Sequence, residues 1–289
     1  MDKYEISEDE FGRWFSLKAN WELAFKEVII KNRLSNLHLC HFSGWRDTNI
    51  DFVNDLFDLT FINRVHIFKW GIQDLTPLYH LKHLTKLFLE VNLKKEFDLS
   101  KFPNLEDLSI IFVPKYVGLS ECYNLEYLCV DRYPYESFVE IAKLKKLKKL
   151  HIISRKLVST KGISNFKDLH TLHFYDCRKL VSLEELDTAV NLTSIELSAC
   201  KHIEDFEIIG NLKHLDTLIL ENCGELKNIR FLEKCKKLRR LFLFGTYVGD
   251  RDLSVITELP NLQDAAFAER RDNSLTTEQI KKILEQRKK

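Results

Sequence analysis

Apolar residues return along this chain at a nearly fixed interval. In "NLTSIELSACKHIEDFEIIG", from Asn191, and "HLDTLILENCGELKNIRFLE", from His214, the pattern Leu-x-x-(Ile/Leu)-x-Leu-x-x-Cys recurs after 23 residues, with matching apolar positions behind it. Segments of the form Leu-x-x-Leu-x-Leu, with conservative replacements, begin at Leu34, Ile62, Leu84, Leu105, Leu125, Leu147, Leu169, Leu192, Leu215, Leu238 and Leu262. Their spacings are 28, 22, 21, 20, 22, 22, 23, 23, 23 and 24 residues. A period in the twenties sustained over most of a chain marks stacked structural repeats rather than separate domains.

Within a repeat the pattern predicts a short strand followed by tight turns. Leu172 and Phe174 alternate with Thr171, His173 and Tyr175, which places the first pair in a core and the other three on an outward face. Behind each cysteine the apolar period changes to three, as in Leu180, Leu183, Leu186, then Ile203, Phe206, Ile209, then Leu226, Ile229, Leu232. That period suits 3₁₀ turns or extended segments. The long first spacing predicts an inserted helix built on Ile50, Phe52, Val53, Leu56, Phe57 and Leu59. Both ends of a repeat stack need covering. Residues 1–33, with Phe11, Trp14, Phe15, Trp21 and Phe25, supply an N-terminal cap of open secondary structure. Residues 269–289 contain "LTTEQIKKILEQRKK", where Thr276 and Gln279 form a capping box and predict a closing helix from about Thr277.

The segments "HLTKLFLEVN", "DLHTLHFYDC", "NLTSIELSAC", "HLDTLILENC" and "KLRRLFLFGT" resemble the leucine-rich repeat family, in the short bacterial-type form similar to internalins, over roughly Leu34 to Phe267. The resemblance implies an α/β solenoid, a horseshoe with about eleven parallel strands on its concave face and short 3₁₀, extended or helical segments on its convex face. Residues 34–268 would form the repeats between the two caps. In the family the ninth position holds Asn or Cys, bonded to neighbouring backbone. Asn92, Cys177, Cys200 and Cys223 match it, whereas Phe42, Trp70, Val113, Tyr133, Arg155, Thr246 and Arg270 do not, so a continuous polar ladder is expected only in the second half.

Composition narrows the function classes. The 289 residues carry 44 basic and 43 acidic side chains, a net charge of +1, so no global field draws the chain to nucleic acid or to a membrane. The first residues hold no apolar secretory segment, and no run of about 18 apolar residues occurs, which predicts a cytoplasmic protein. Seven cysteines without a CxxC pair speak against a disulfide framework. No Gly-rich phosphate loop, HExxH or paired-carboxylate motif is present, so no cofactor or metal is expected. The five lysines of "AKLKKLKKL", from Lys143 to Lys149, read as a solvated flank.

In the expected register three columns line the concave face. Their charges are mixed, with Arg64, Lys86, Lys149 and Arg240 interspersed among Glu90, Asp107, Asp131, Glu196, Glu221 and Asp264, which is not the basic stripe a phosphate backbone requires. The aromatic residues Phe68, Phe88, Tyr127, Tyr175, Phe242 and Phe244 stand among them, as anchors do in protein interfaces. Together with His151, His173 and Glu196 they form the candidate surface for a partner protein. The expected function is a non-enzymatic, monomeric scaffold, either a regulator or a toxin-neutralising immunity-type protein. An extracellular adhesin of internalin type is an alternative. A second alternative is a metal or hydrolytic site at Cys129, His151, His173 and Glu196, one per repeat in the middle column. Against it, a straight row of four spans about 14 Å and cannot close a tetrahedral site.

Overall fold

The computed structural model describes residues 2–10, 12–40, 49–68, 71–268 and 270–287. The chain forms two compact units, Met1–Val130 and Asp131–Lys289.

The first unit opens on an antiparallel hairpin, β1 (Tyr4–Asp9) and β2 (Gly12–Leu17), followed by helix α1 (Ala24–Asn32). Tyr4, Phe15 and Trp21 pack ring against ring with Phe25 from the first turn of the helix, and Trp21 stacks on Phe52 at 4.6 Å. The cap is therefore both stranded and helical; Phe11 lies outside the described residues. Strands β3 (Asn36–Cys40), β4 (Arg64–Phe68), β5 (Lys86–Glu90), β6 (Phe97–Asp98), β7 (Asp107–Ile111), β8 (Tyr116–Val117) and β9 (Tyr127–Asp131) follow. The main strands stand in the order β1-β2-β3-β4-β5-β7-β9, parallel in register from β2 to β7, while β6 and β8 form a separate small pair.

The helix expected around Ile50–Leu59 is a 3₁₀ segment, Asp51–Leu56. Ile50, Val53, Leu56 and Leu59 are the buried residues, and their spacing of three is that of a 3₁₀ turn, whereas Phe57 is exposed. Positions 41–48, including Phe42, lie outside the described residues, as does Trp70.

The second unit carries β10 (Lys149–Ile153), β11 (Thr171–Tyr175), β12 (Ser194–Ser198), β13 (Thr217–Glu221), β14 (Gly224–Leu226), β15 (Arg240–Leu243), β16 (Thr246–Val248) and β17 (Asp264–Phe267), with helices α2 (Ser254–Glu258) and α3 (Thr277–Arg287). Strands β10, β11, β12, β13, β15 and β17 pair parallel in that order, and β14 pairs with β16. In both units each expected Leu-x-x-Leu-x-Leu start is followed two residues later by its strand, so all eleven registers hold. The inward residues of the second unit are buried, and so are the triplets Leu180, Leu183, Leu186 and Leu226, Ile229, Leu232. Short 3₁₀ turns such as Ile163–Asn165 and Leu186–Thr188 return the chain. At the far edge α3 packs on β17, its first turn closed by the Thr276 N–H donating to Gln279 Oε1 (2.8 Å) and the Gln279 N–H to Thr276 Oγ1 (3.2 Å).

A polar ladder follows the strands of the second unit, and its membership differs from expectation. The thiols of Cys177, Cys200 and Cys223 donate to carbonyls of an earlier repeat, Cys223 to Leu197 O at 3.2 Å. Thr246 continues the column: its hydroxyl donates to Leu220 O and accepts from the Cys223 N–H, both at 2.9 Å. At the other end the place is taken by Ser154, not Arg155, with its hydroxyl donating to Tyr133 O at 2.9 Å. The residues before the ladder position, Arg132, Asp176, Ala199, Asn222 and Gly245, have φ between 51° and 60°, a left-handed turn. β10 enters its turn without such a residue, which moves the ladder one place earlier. In the first unit Asn92 is exposed between buried Val91 and Leu93, so it is not a ladder residue.

Candidate partner-binding surface

Strand alternation fixes which side chains look outward, and the pairing register aligns them in columns. In the first unit the middle column runs Ser16, His38, His66, Phe88. Its rings are in contact: His38 stacks on His66 at 4.8 Å, His66 meets Phe88 edge-on at 5.8 Å, and Trp14 meets His38 at 5.9 Å. Arg64 lies over the Trp14 indole at 5.4 Å and is itself buried. Burial pushes the His66 imidazole down to about 4, with His38 adding to the effect. Lys86 pairs with Asp107 across neighbouring strands at 2.5 Å. Phe68, the last residue of β4, is 39% exposed; Phe88 and Tyr127 are half-buried.

In the second unit His151, His173 and Glu196 are aligned in register on β10, β11 and β12. The two imidazoles stack face to face at 4.3 Å and 17°, and Glu196 Oε2 stands 3.9 Å from His173 Nδ1. Burial holds His151 down at about 4, helped by His173 and Lys149; burial also lowers His173, against the pull of Glu196. Parallel rings direct their nitrogens side by side instead of toward a shared point, and among the described residues no three His, Cys, Asp or Glu side chains converge as a metal site. Cys129 belongs to the first unit. Tyr175 sits edge-on to His173 at 6.3 Å. Further along, Phe242 on β15 and Phe244 in the turn after it stack in parallel at 5.5 Å and 7°, and Phe244 is 46% exposed.

Two features escaped the sequence reading. One is the run of ring contacts along His38, His66 and Phe88, joined at its start by Trp14 from the adjoining column, whose signal was the repeat of His at the same strand position. The other is an open cleft of about 640 Å³ at the strand-entry edge of β12, β13 and β15, lined by Thr193, Ser194, His214, Asp216, Thr217, Lys237, Arg239, Arg240 and Asn261. Asp216 organises it. Its carboxylate accepts from Arg239 Nε and from the Thr217 hydroxyl (3.0 Å), and Arg240 donates through Nε to Thr217 Oγ1 (3.0 Å). Lys237 Nζ donates to His214 Nδ1 at 3.0 Å. The arginines beside it hold the Asp216 carboxyl below its usual range in spite of burial, the largest and opposing influence.

No family model and no curated sequence matches the chain. Solved structures do. An internalin, InlF, from Listeria monocytogenes superposes with a TM-score of 0.57 at 18% identity, covering 89% of this chain and 80% of that one. The functional domain of InlJ from Listeria monocytogenes, which includes a cysteine ladder, superposes with a TM-score of 0.54 at 20% identity. That match covers 87% of this chain and 52% of the InlJ domain, so the chain spans about half of it. The fold is thus the internalin-like leucine-rich repeat solenoid that the sequence resembled.

Proposed function

We propose that the chain is a protein-binding scaffold whose outward strand residues contact a partner protein, without catalysis of its own. The observation that carries this reading is the placement of large aromatic side chains, half-buried or exposed, on hydrogen-bonded strands and their exit turns. Phe242 and Phe244 stack against each other and leave nearly half of Phe244 open to solvent. A rigid backbone loses little conformational entropy on binding, so contacts of this kind contribute to affinity instead of being spent on ordering. Aromatic groups among mixed charges are the composition of interface hot spots. The likeness in fold to internalins supports the same class. Within that class we favour a regulator or neutralising inhibitor working in a reducing cytoplasm. The ladder thiols support that setting, since they serve as hydrogen-bond donors to backbone carbonyls.

The test is affinity capture from a lysate of the native host with three baits: the wild type, a first-unit variant (Phe68→Ala with Phe88→Ala) and a second-unit variant (Tyr175→Ala with Phe242→Ala). Circular dichroism checks that each is folded. One protein retained by the wild type and lost from either variant is the expected result, with affinity falling about 30-fold or more for a hot-spot pair. Equal retention by all three folded baits would remove the strand face from consideration.

A further inference from the structure

The cleft at the strand-entry edge of the second unit has a chemistry that defines part of the partner. Lys237, Arg239 and Arg240 face one carboxylate, Asp216, so the lining carries an excess of positive charge although the whole chain is close to neutral. Asp216 takes the Nε–H of Arg239, and Thr217 takes that of Arg240. A guanidinium offers five donors, and fixing Nε orients the remaining ones as a fork matched to a carboxylate or phosphate, although Arg240 Nη2 also lies 3.8 Å from Asp216 Oδ2. Arg240 and Phe242 lie two residues apart on the same face of β15, so the basic cleft leads directly to the stacked Phe242 and Phe244 rings.

We propose that this cleft and the adjacent phenylalanine pair bind an acidic, apolar-bearing segment of the partner protein, a carboxylate side chain entering between Lys237 and Arg240 while a neighbouring Leu or Phe covers Phe242 and Phe244. The inference rests on the protein-binding reading above. Charge complementarity selects the acidic group. The surroundings select a discrete carboxylate over a nucleic-acid backbone: Asp216 sits in the cleft, Asp264 stands in register with Arg240, and Glu196 and Glu221 stand further along β12 and β13, the strands that border it. A continuous phosphodiester chain crossing this area would meet those carboxylates, whereas a single acidic side chain ends in the cleft.

The test uses fluorescence anisotropy with the labelled peptide acetyl-Glu-Glu-Leu-Glu-Glu-Phe-amide as probe. Its comparators are the same peptide with Gln for Glu, and a twelve-nucleotide oligothymidine. The wild type is compared with Lys237→Ala/Arg240→Ala and with Lys145→Ala/Lys146→Ala, which removes equal charge from exposed lysines elsewhere on the same unit. The first variant should fold, because both side chains are exposed and Thr217 keeps its bond to Asp216. A Lys237→Gln/Arg240→Gln pair serves in its place should its melting curve show otherwise.

The acidic peptide is expected to bind the wild type at least tenfold more tightly than the Gln peptide, to weaken with added salt, and to lose at least tenfold in the cleft variant but not in the Lys145/Lys146 variant. Three results overturn the proposal: no measurable binding of the acidic peptide, an equal loss in the Lys145/Lys146 variant, or tighter binding of the oligonucleotide. A captured protein lost from the Tyr175/Phe242 bait but kept by the cleft variant, with no peptide binding, overturns this inference alone and leaves the scaffold reading in place.

Discussion

His66 and His151 each stack on a second imidazole in the neighbouring strand, and half-burial holds both near 4. Each would titrate near 6.5 in an unfolded chain. A folded-state value below the unfolded one means that the unfolded state takes up the proton first, so the stability contributed is complete above pH 6.5 and drains away as pH falls toward 4. Allowing for solvent screening of half-exposed rings, the loss is about 1–2 kcal/mol per site. Urea unfolding at pH 7.5, 6 and 5 should show the decline before the carboxylates, whose shifts act at lower pH, begin to contribute. Flat stability across that range would contradict the assignment, and His151→Gln should flatten part of the slope. A second residue prediction concerns Thr246, whose hydroxyl satisfies the buried Cys223 N–H. Thr246→Val keeps the shape but leaves that donor without its acceptor, at a cost of about 1–3 kcal/mol. Thr246→Ser should restore most of it, as read from the urea midpoint.

At the scale of elements, a 3₁₀ turn is held by the repeat beside it. The turn Ile163–Asn165 is entered through Gly162 at φ 94°. The Glu185 carboxylate of the next repeat accepts from the Gly162 N–H at 2.9 Å and from the Ser164 hydroxyl at 2.7 Å. Those bonds hold its carboxyl below the ordinary range. A β-carbon at Gly162 would approach the backbone of Phe138 and Val139 to 2.8 Å, in a conformation L-residues avoid. Gly162→Ala should therefore cost more than the roughly 1 kcal/mol of a simple left-handed penalty. A thermal midpoint within 1 °C of wild type would show that the turn relaxes freely. The strands were legible from residues because alternation and period specify them without reference to anything distant. The ladder was less so: Ser154 and Thr246 replace Cys through hydrogen-bonding capacity, and the one-place shift at Ser154 depends on backbone dihedrals that residue types such as Asp176 and Ala199 do not announce. The outward columns followed from the same alternation, and the aromatic candidates stand in them. The cleft did not follow, because Asp216 and Arg239 become one site only when two repeats stack.

For the whole molecule, the source of stability predicts what should not matter. Within each unit, rows of Leu, Ile and Phe are buried from strand to strand, and at roughly 25 cal/mol per Å² of apolar area such rows supply the main favourable contribution to folding. The thiols of Cys177, Cys200 and Cys223 add hydrogen bonds to carbonyls, and burial raises Cys223 to about 12, so it stays protonated and unreactive near neutrality. The His151 and His173 rings lie parallel, a geometry in which they stabilise the strand face by stacking and do not share an ion. Dialysis against EDTA or addition of dithiothreitol should each move the thermal midpoint by less than about 1 °C, since neither reagent touches apolar burial. A fall of several degrees with EDTA, restored by zinc, would instead identify an ion as part of the fold and reopen the metal reading of the His151 column; about 1 kcal/mol corresponds to a few degrees in a domain of this size. Differential scanning calorimetry with and without each reagent decides between the two.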